Sequence, residues 1–338
     1  MKPPPFKPIF QAAACLGWLL PSFSPAATNL PSLVWPAPPD AARIAYVTSI
    51  HRPADAGIKA SGWGRLTRWL TGSDKGNEPL QKPFGLALDD QDNLCLTDTG
   101  AHAVCFFDRT KKQWQRWTQL GDLAFSSPVA VAKYQQIFFV ADSGLASVVA
   151  FNSKGKLLFQ ITNGLERPCA LTVNPERLWV ADSQRHCVSA FDLAGRFLAA
   201  LGRRGSGPGE FNFPTHLAQD AAHNLFVTDS GNGRIQMFDA SGQFLRQVGS
   251  LGDNLGHFGR PKGVAVDALG HVYVVDALFD NLQIFDRESR FLMPLGAAGT
   301  GPGQFFLPSG IGISRHNEIF VADTYNHRVQ VLQYVGEP

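Results

Sequence analysis

Short apolar runs recur along the whole chain, several of them alternating with polar residues at a period of two. The run Leu282-Gln-Ile-Phe-Asp286 shows the pattern of a half-buried strand. A proline opens another kind of run, as in Pro261-Lys-Gly-Val-Ala-Val-Asp267. That proline recurs as Pro83, Pro128, Pro168, Pro214, Pro261 and Pro308, at gaps of 45, 40, 46, 47 and 47 residues. An aspartate follows each after 14 or 15 residues: Asp98, Asp142, Asp182, Asp229, Asp276 and Asp323. Ten residues further stand Asp108, Asn152, Asp192, Asp239, Asp286 and Gln333. Three markers held in register through six copies define a structural repeat.

Each copy parses into four strands. Strand a follows the proline, and strand b ends on the aspartate, as in Val272-Tyr-Val-Val-Asp276. Strand c is the alternating run, and strand d is a run such as Phe291-Leu-Met-Pro-Leu295. Four short antiparallel strands per 40–47 residues make one propeller blade. The predicted fold is therefore all-β, a six-bladed β-propeller of four-stranded antiparallel blades. The sixth copy stops at Pro338 without a strand d. Arg43-Ile-Ala-Tyr-Val-Thr-Ser-Ile50 is a spare strand, and pairing it on the last blade would close the ring and cover its edge. The propeller then spans 43–335, with 43–50 as closing strand and an insert at 51–82. Within the insert, Leu66, Trp69 and Leu70 share one face of a predicted short helix, read either as packing on the propeller or as docking a partner.

Composition alters this picture little. The 33 glycines and 23 prolines suit many turns, and a net charge of +2 is too small for a sequence-independent nucleic-acid binder. The N-terminus adds more. Lys2 and Lys7 precede an apolar stretch from about Ile9 to Phe23, and Ser24 and Ala26 give a small-x-small end. Residues 1–26 are read as a signal peptide and 27–42 as a Pro-rich lead-in, which implies a periplasmic or extracellular protein with no membrane span after cleavage. An uncleaved anchor, or lipidation of Cys15, stays open.

Four cysteines lie beyond the leader, without a CxxC pair. Cys95 and Cys105 lie ten residues apart in one hairpin and are a candidate cross-strand disulfide. Cys169 and Cys187 should be separated by a whole strand, too far to join.

The six repeated aspartates are expected to accept backbone N–H groups in the turn that follows, with Arg234 and Arg328 placed to bridge two of them. Three residues before them stand Cys95, Phe139, Trp179, Phe226, Tyr273 and Phe320, a register suited to packing between blades. Two residues after the prolines come Gly85, Ala130, Ala170, His216, Gly263 and Gly310. His216 is the exception among small residues. It is the candidate channel residue, unless it hydrogen-bonds to a neighbouring loop. Strand a starts at the face where the d-to-a and b-to-c loops emerge. That face gathers Arg167, Arg185, Arg203, Arg204, Arg234, Arg260, Lys262 and Arg328. His216, Arg185, Arg203, Arg204, Arg260 and Lys262 are the candidate binding set, suited to an acidic protein or polyanion.

The last copy, Ile319-Phe-Val-Ala-Asp-Thr-Tyr-Asn-His-Arg-Val-Gln-Val331, resembles the NHL repeat, whose hallmark is this Asp-x-x-Asn-His-Arg hairpin. The loops 202–214 and 299–308 look like NHL inter-blade connections, and the resemblance covers about residues 43–335. Copy five departs from it, with Asp280-Asn281 in place of the hallmark. The resemblance implies a six-bladed propeller used as a binding platform. Some exported relatives accompany multihaem cytochromes, which makes such an envelope protein a conceivable partner. The expected function is a non-catalytic exported scaffold that binds a protein or anionic partner, with no cofactor. Two alternatives are a metal-dependent enzyme of the amidating-lyase type, at the channel mouth, and an RNA-binding platform. Against the enzyme, His186, His257 and His327 lie on separate loops and do not assemble with His216.

Overall fold

A computed structural model describes residues 33–58 and 77–336. The leader at 1–26 and the predicted helix at 63–70 lie outside the described residues.

Six sheets carry the six copies. Blade one consists of Pro83–Leu88, Leu94–Asp98, Ala103–Asp108 and Gln113–Trp117, joined antiparallel in sequence order. Blades two to five repeat this order, starting at Pro128, Pro168, Pro214 and Pro261. Blade six is built from Ile311–Ile313, Glu318–Asp323 and Arg328–Tyr334, and Ile44–Ile50 pairs antiparallel with the last of these. The N-terminal strand thus closes the ring. A short strand, Val34–Trp35, adds to its outer edge within what the sequence suggests is only a lead-in. The Trp35 ring packs so closely on Gly303 that a Cβ there would lie 2.3 Å from it. Across the junction of blades six and one, Arg109 donates to both carboxylate oxygens of Glu318, at 2.7 and 2.8 Å.

The repeat fixes where the core sits. Sheets stacked face to face bury side chains between blades, so the interior divides into six clusters, one per junction. Each is centred on the register of strand b identified above. Phe139 packs with Leu178 and Val180 between blades two and three, and Tyr273 with Ile319 and Val321 between five and six. Trp179, Phe226, Phe320 and Cys95 occupy the other four junctions. Burial of each aromatic contributes about 1.5–3 kcal/mol.

Strand a is narrow for a steric reason. A Cβ at Gly85 would lie 2.3 Å from the Val129 carbonyl oxygen, and one at Gly310 2.4 Å from that of Phe84. The innermost strands approach one another so closely that Gly310 donates its amide to Phe84 across the blade boundary at 2.9 Å.

The proposed Cys95–Cys105 disulfide is corrected by the register. Cys95 pairs with Phe106, and Leu96 with Cys105. A one-residue offset sends side chains to opposite faces of a sheet. Cys95 therefore lies in the cluster with Phe138, and Cys105 in the cluster with Phe107 and Phe320. Both thiols are free and buried, as is Cys187, while Cys169 is free and half-buried.

Candidate functional site

The loop face is built by the repeated aspartates. Asp182 accepts the amides of Glu166, Arg167, Gln184 and Arg185, and so ties the incoming d-to-a loop to the b-to-c turn. Asp98, Asp142 and Asp276 do the same in their blades. In blades four and six, side chains replace the turn amides. Asp229 takes Arg234 at 2.8 Å together with Asn232 and Gln236, and Asp323 takes Arg328 at 2.8 Å together with Asn326 and Gln330. Arg234 and Arg328 are thus buried supports and not part of the binding surface. The hydroxyls that follow the aspartates reach further than a local turn. Ser143, Ser230 and Thr324 donate to the carbonyls of Pro168, Pro261 and Pro83 on the next blade.

Four residues after each aspartate the backbone enters the left-handed region, and in four of the six copies the side chain there makes a second inter-blade tie. There His186 Nδ1 accepts the amide of Phe213 at 3.1 Å, and their rings lie 4.6 Å apart. His102 and His327 reach the carbonyls of Ser126 and Gln81, which requires the proton on Nδ1. Asp280, the departure in copy five, does the same work by accepting the Leu307 amide at 2.6 Å.

The three Gly-rich loops share one backbone shape. Gly202, Gly249 and Gly296 adopt φ of 85°, 77° and 95°, where a Cβ would run into the buried rings of Phe211, Phe258 and Phe305 at 2.2–2.5 Å. Gln236, Gln283 and Gln330 each bind one amide and one carbonyl of these loops. Two loops are further held by Arg234 and Arg328, each donating to two carbonyls. In the middle loop the equivalent residue is Asn281, and its buried Oδ1 has no partner.

The structure divides the candidate binding residues. Arg203 pairs with Glu210 at 3.0 Å, and Arg185 donates to the Gly164 carbonyl. Arg204 and Arg260 stay exposed on the loop face, with no carboxylate partner among the described residues. His216 lies in the channel neck and not in a loop contact. Its ring faces Phe84 of the opposite blade at 6.2 Å, and its Nδ1 is sealed from solvent with no protein partner. Burial, and the nearby Lys262 charge, push the His216 pKa down to about 3, so the imidazole is neutral at physiological pH. Lys262 is half-buried, and its pKa is lowered by burial and by the charges of Arg260 and Arg167.

Sequence reasoning missed the apolar part of this face. Phe213, Leu251, Leu255, Leu278, Phe306 and Tyr325 are each 45–65% exposed, all on d-to-a loops or b-to-c hairpins of blades four to six. The signal was present in Phe211-Asn-Phe-Pro214 and Phe305-Phe-Leu-Pro308, where one ring is fully buried and a second apolar side chain has nowhere inside to go.

Past the neck, the channel widens toward the other face into a funnel of about 620 Å³. Its wall carries Leu86, Leu171, Leu217, Val264 and Ile311, with Asp90, Asp220 and His223 near the rim. Among the described residues no three His, Cys, Asp or Glu side chains come together to hold a metal ion, so the donor set of a lyase-type metal centre is not assembled here. No helix among them is long and apolar enough to cross a membrane.

This architecture defines a class, the six-bladed β-propeller, and residues 165–248 match a family described in those terms. Residues 258–285 and 307–332, in blades five and six, match the NHL repeat. The sequence matches no curated protein. Among solved structures it is similar to an auxiliary nutrient binding protein from Bacteroides thetaiotaomicron (TM-score 0.62, 12% identity, 78% of this chain and 71% of that one). It is similar to a gluconolactonase from Xanthomonas campestris (0.57, 16%, 75% and 86%) and to virginiamycin B lyase from Staphylococcus aureus (0.55, 12%, 75% and 96%). At these identities the likeness is one of fold, shared by binders and enzymes alike.

Proposed function

We propose that this is an exported binding scaffold whose loop face docks a protein partner carrying acidic groups. One observation supports the reading above all: six exposed large apolar side chains on blades four to six share a face with the unpaired Arg204 and Arg260. Aromatic and arginine side chains are enriched at the centres of protein interfaces. The loops that carry them are pinned by the Gln236, Gln283 and Gln330 amides, so little ordering entropy is lost on docking. The leader-like N-terminus is what supports export, and on this reading the partner is a protein of the envelope or the cell exterior.

The test is affinity capture from an envelope extract, repeated with Arg204→Glu/Arg260→Glu and with Leu255→Asp. A partner retained by the parent chain and lost with both variants, while their melting is unchanged, is the expected result. A partner retained equally by all three overturns the reading.

A further inference from the structure

The channel neck carries a polar cluster that the loop face does not explain. It lies at the first residues of the innermost strands, Thr215 and His216 in blade four and Lys262 in blade five, whose charge acts on His216. Thr215 Oγ1 and His216 Nδ1 are both sealed from solvent without a protein partner. A buried hydroxyl or imidazole nitrogen left unpaired is costly, and such groups in folded proteins nearly always have something to bond. No carboxylate pairs with Lys262 among the described residues. The other strands contribute Phe84, Val129, Cys169 and Ser309 at the position of Thr215, none of them acidic. Ser309 is already committed to the Phe84 carbonyl and to Thr324. At the mouth just above stand Arg167 and Arg260, both exposed and both cationic. Several acids of this face are occupied elsewhere: Asp182 by four backbone amides, Glu210 by Arg203, and Asp280 by the Leu307 amide, while Glu166 and Asp253 are exposed on the loops.

We infer that the neck is a binding site for one carboxylate group, held by the Lys262 ammonium, the Thr215 hydroxyl and the neutral His216 imidazole beneath the loop face. The charge count favours a carboxylate over a phosphate. A single cation lies within the neck, and it is joined by two neutral donors, which matches one negative charge shared over two oxygens. The second charge of a phosphate would have to be met by Arg167 and Arg260, which are solvated at the mouth. Phe84 closes the opposite side with an apolar ring, which suits the carbon end of the same ligand. The site does not depend on whether a partner docks above it. The carboxylate can belong to a free small acid or to a side chain of a docked protein, and the chemistry at the neck is the same.

The experiment follows histidine side-chain NMR signals and melting temperature of the full chain as sodium acetate replaces sodium chloride at constant ionic strength. Acetate should shift the His216 signals saturably, leave those of His223 unmoved, and raise the melting temperature. Lys262→Met should weaken the effect about tenfold or more, since a charge-assisted bond is lost. Thr215→Val, close in shape, should weaken it several-fold while keeping the fold. Inorganic phosphate at the same concentration should bind more weakly than acetate. A second arm uses the blocked peptide acetyl-Gly-Asp-Gly-amide. Tighter binding than acetate, reduced by Arg204→Glu, assigns the carboxylate to a docked partner; equal binding unaffected by that change assigns it to a free acid. The inference is overturned if His216 does not respond to acetate, or if the response survives in both Lys262→Met and Thr215→Val. Loop-face variants that abolish partner capture but leave the acetate response intact separate the two proposals.

Discussion

The amide of Leu307 donates to Asp280 Oδ1 at 2.6 Å, across the junction of blades five and six. In blades one, three and six a histidine fills this position, so the carboxylate is a substitute that carries a charge. Burial pushes the Asp280 pKa up, against the lowering effect of the Leu307 bond, and Asp323 and Asp276 push it up further. A raised folded-state pKa means that the stabilising contribution is complete below the ordinary carboxylate range and is lost as pH rises through the folded value. Asp280→Asn keeps the acceptor and removes the charge. It should raise the melting temperature at pH 7 by about 1–2 °C, with the advantage gone near pH 3. Melting curves of both proteins at the two pH values check this; an unchanged gap on acidification contradicts it.

Ring closure gives a sharper effect. Ile44 is fully buried and faces Tyr334 in the closing pair. Ile44→Ala should cost about 2–4 kcal/mol in urea unfolding. Deleting residues 43–50 should remove the cooperative transition, because it bares strand Arg328–Tyr334 along its whole edge. A deletion that melts like the parent would refute closure by this strand.

Much of this was legible in the sequence, and the limits have physical causes. The ten-residue interval from Asp98 to Asp108 could be read because it spans one hairpin from the end of strand b to the end of strand c. The Cys95–Cys105 pair has the same interval, yet the ladder sets Cys95 against Phe106. One residue of register decides the face, and spacing alone does not give register. His216 was visible as a break among small residues, but its neighbour Phe84 lies half a ring away. The ties from His186 and His327 to the next blade join residues that only closed geometry brings together.

The thiols provide a direct check on that register. Burial raises the pKa of Cys95 and Cys105 strongly, and pushes that of Cys169 up to about 12. All three should resist alkylation by iodoacetamide at pH 8 in the native protein and react in guanidinium. Peptide mapping without reductant should show Cys95 and Cys105 unlinked, and a reducing agent should leave the melting temperature unchanged. A linked peptide would disprove the assigned hairpin register.

The middle Gly-rich loop lacks the arginine anchor of its two neighbours, and Asn281 Oδ1 is left buried without a partner. Asn281→Arg should supply the bonds that Arg234 and Arg328 make to their loops, and relieve an unpaired group. We expect a gain of about 1 kcal/mol in chemical unfolding and slower amide exchange across residues 249–260. A destabilised variant would show that this loop follows a path the arginine cannot serve.

The pairing of Ile44–Ile50 with Arg328–Tyr334 also sets an order in time. Ile44–Ile50 must wait for a partner about 280 residues further along the chain before this edge is paired. Until then strand Arg328–Tyr334 keeps an open outer edge, and the ring cannot close. Moving residues 33–50 to follow residue 336 would abolish the wait and let the ring shut from one end.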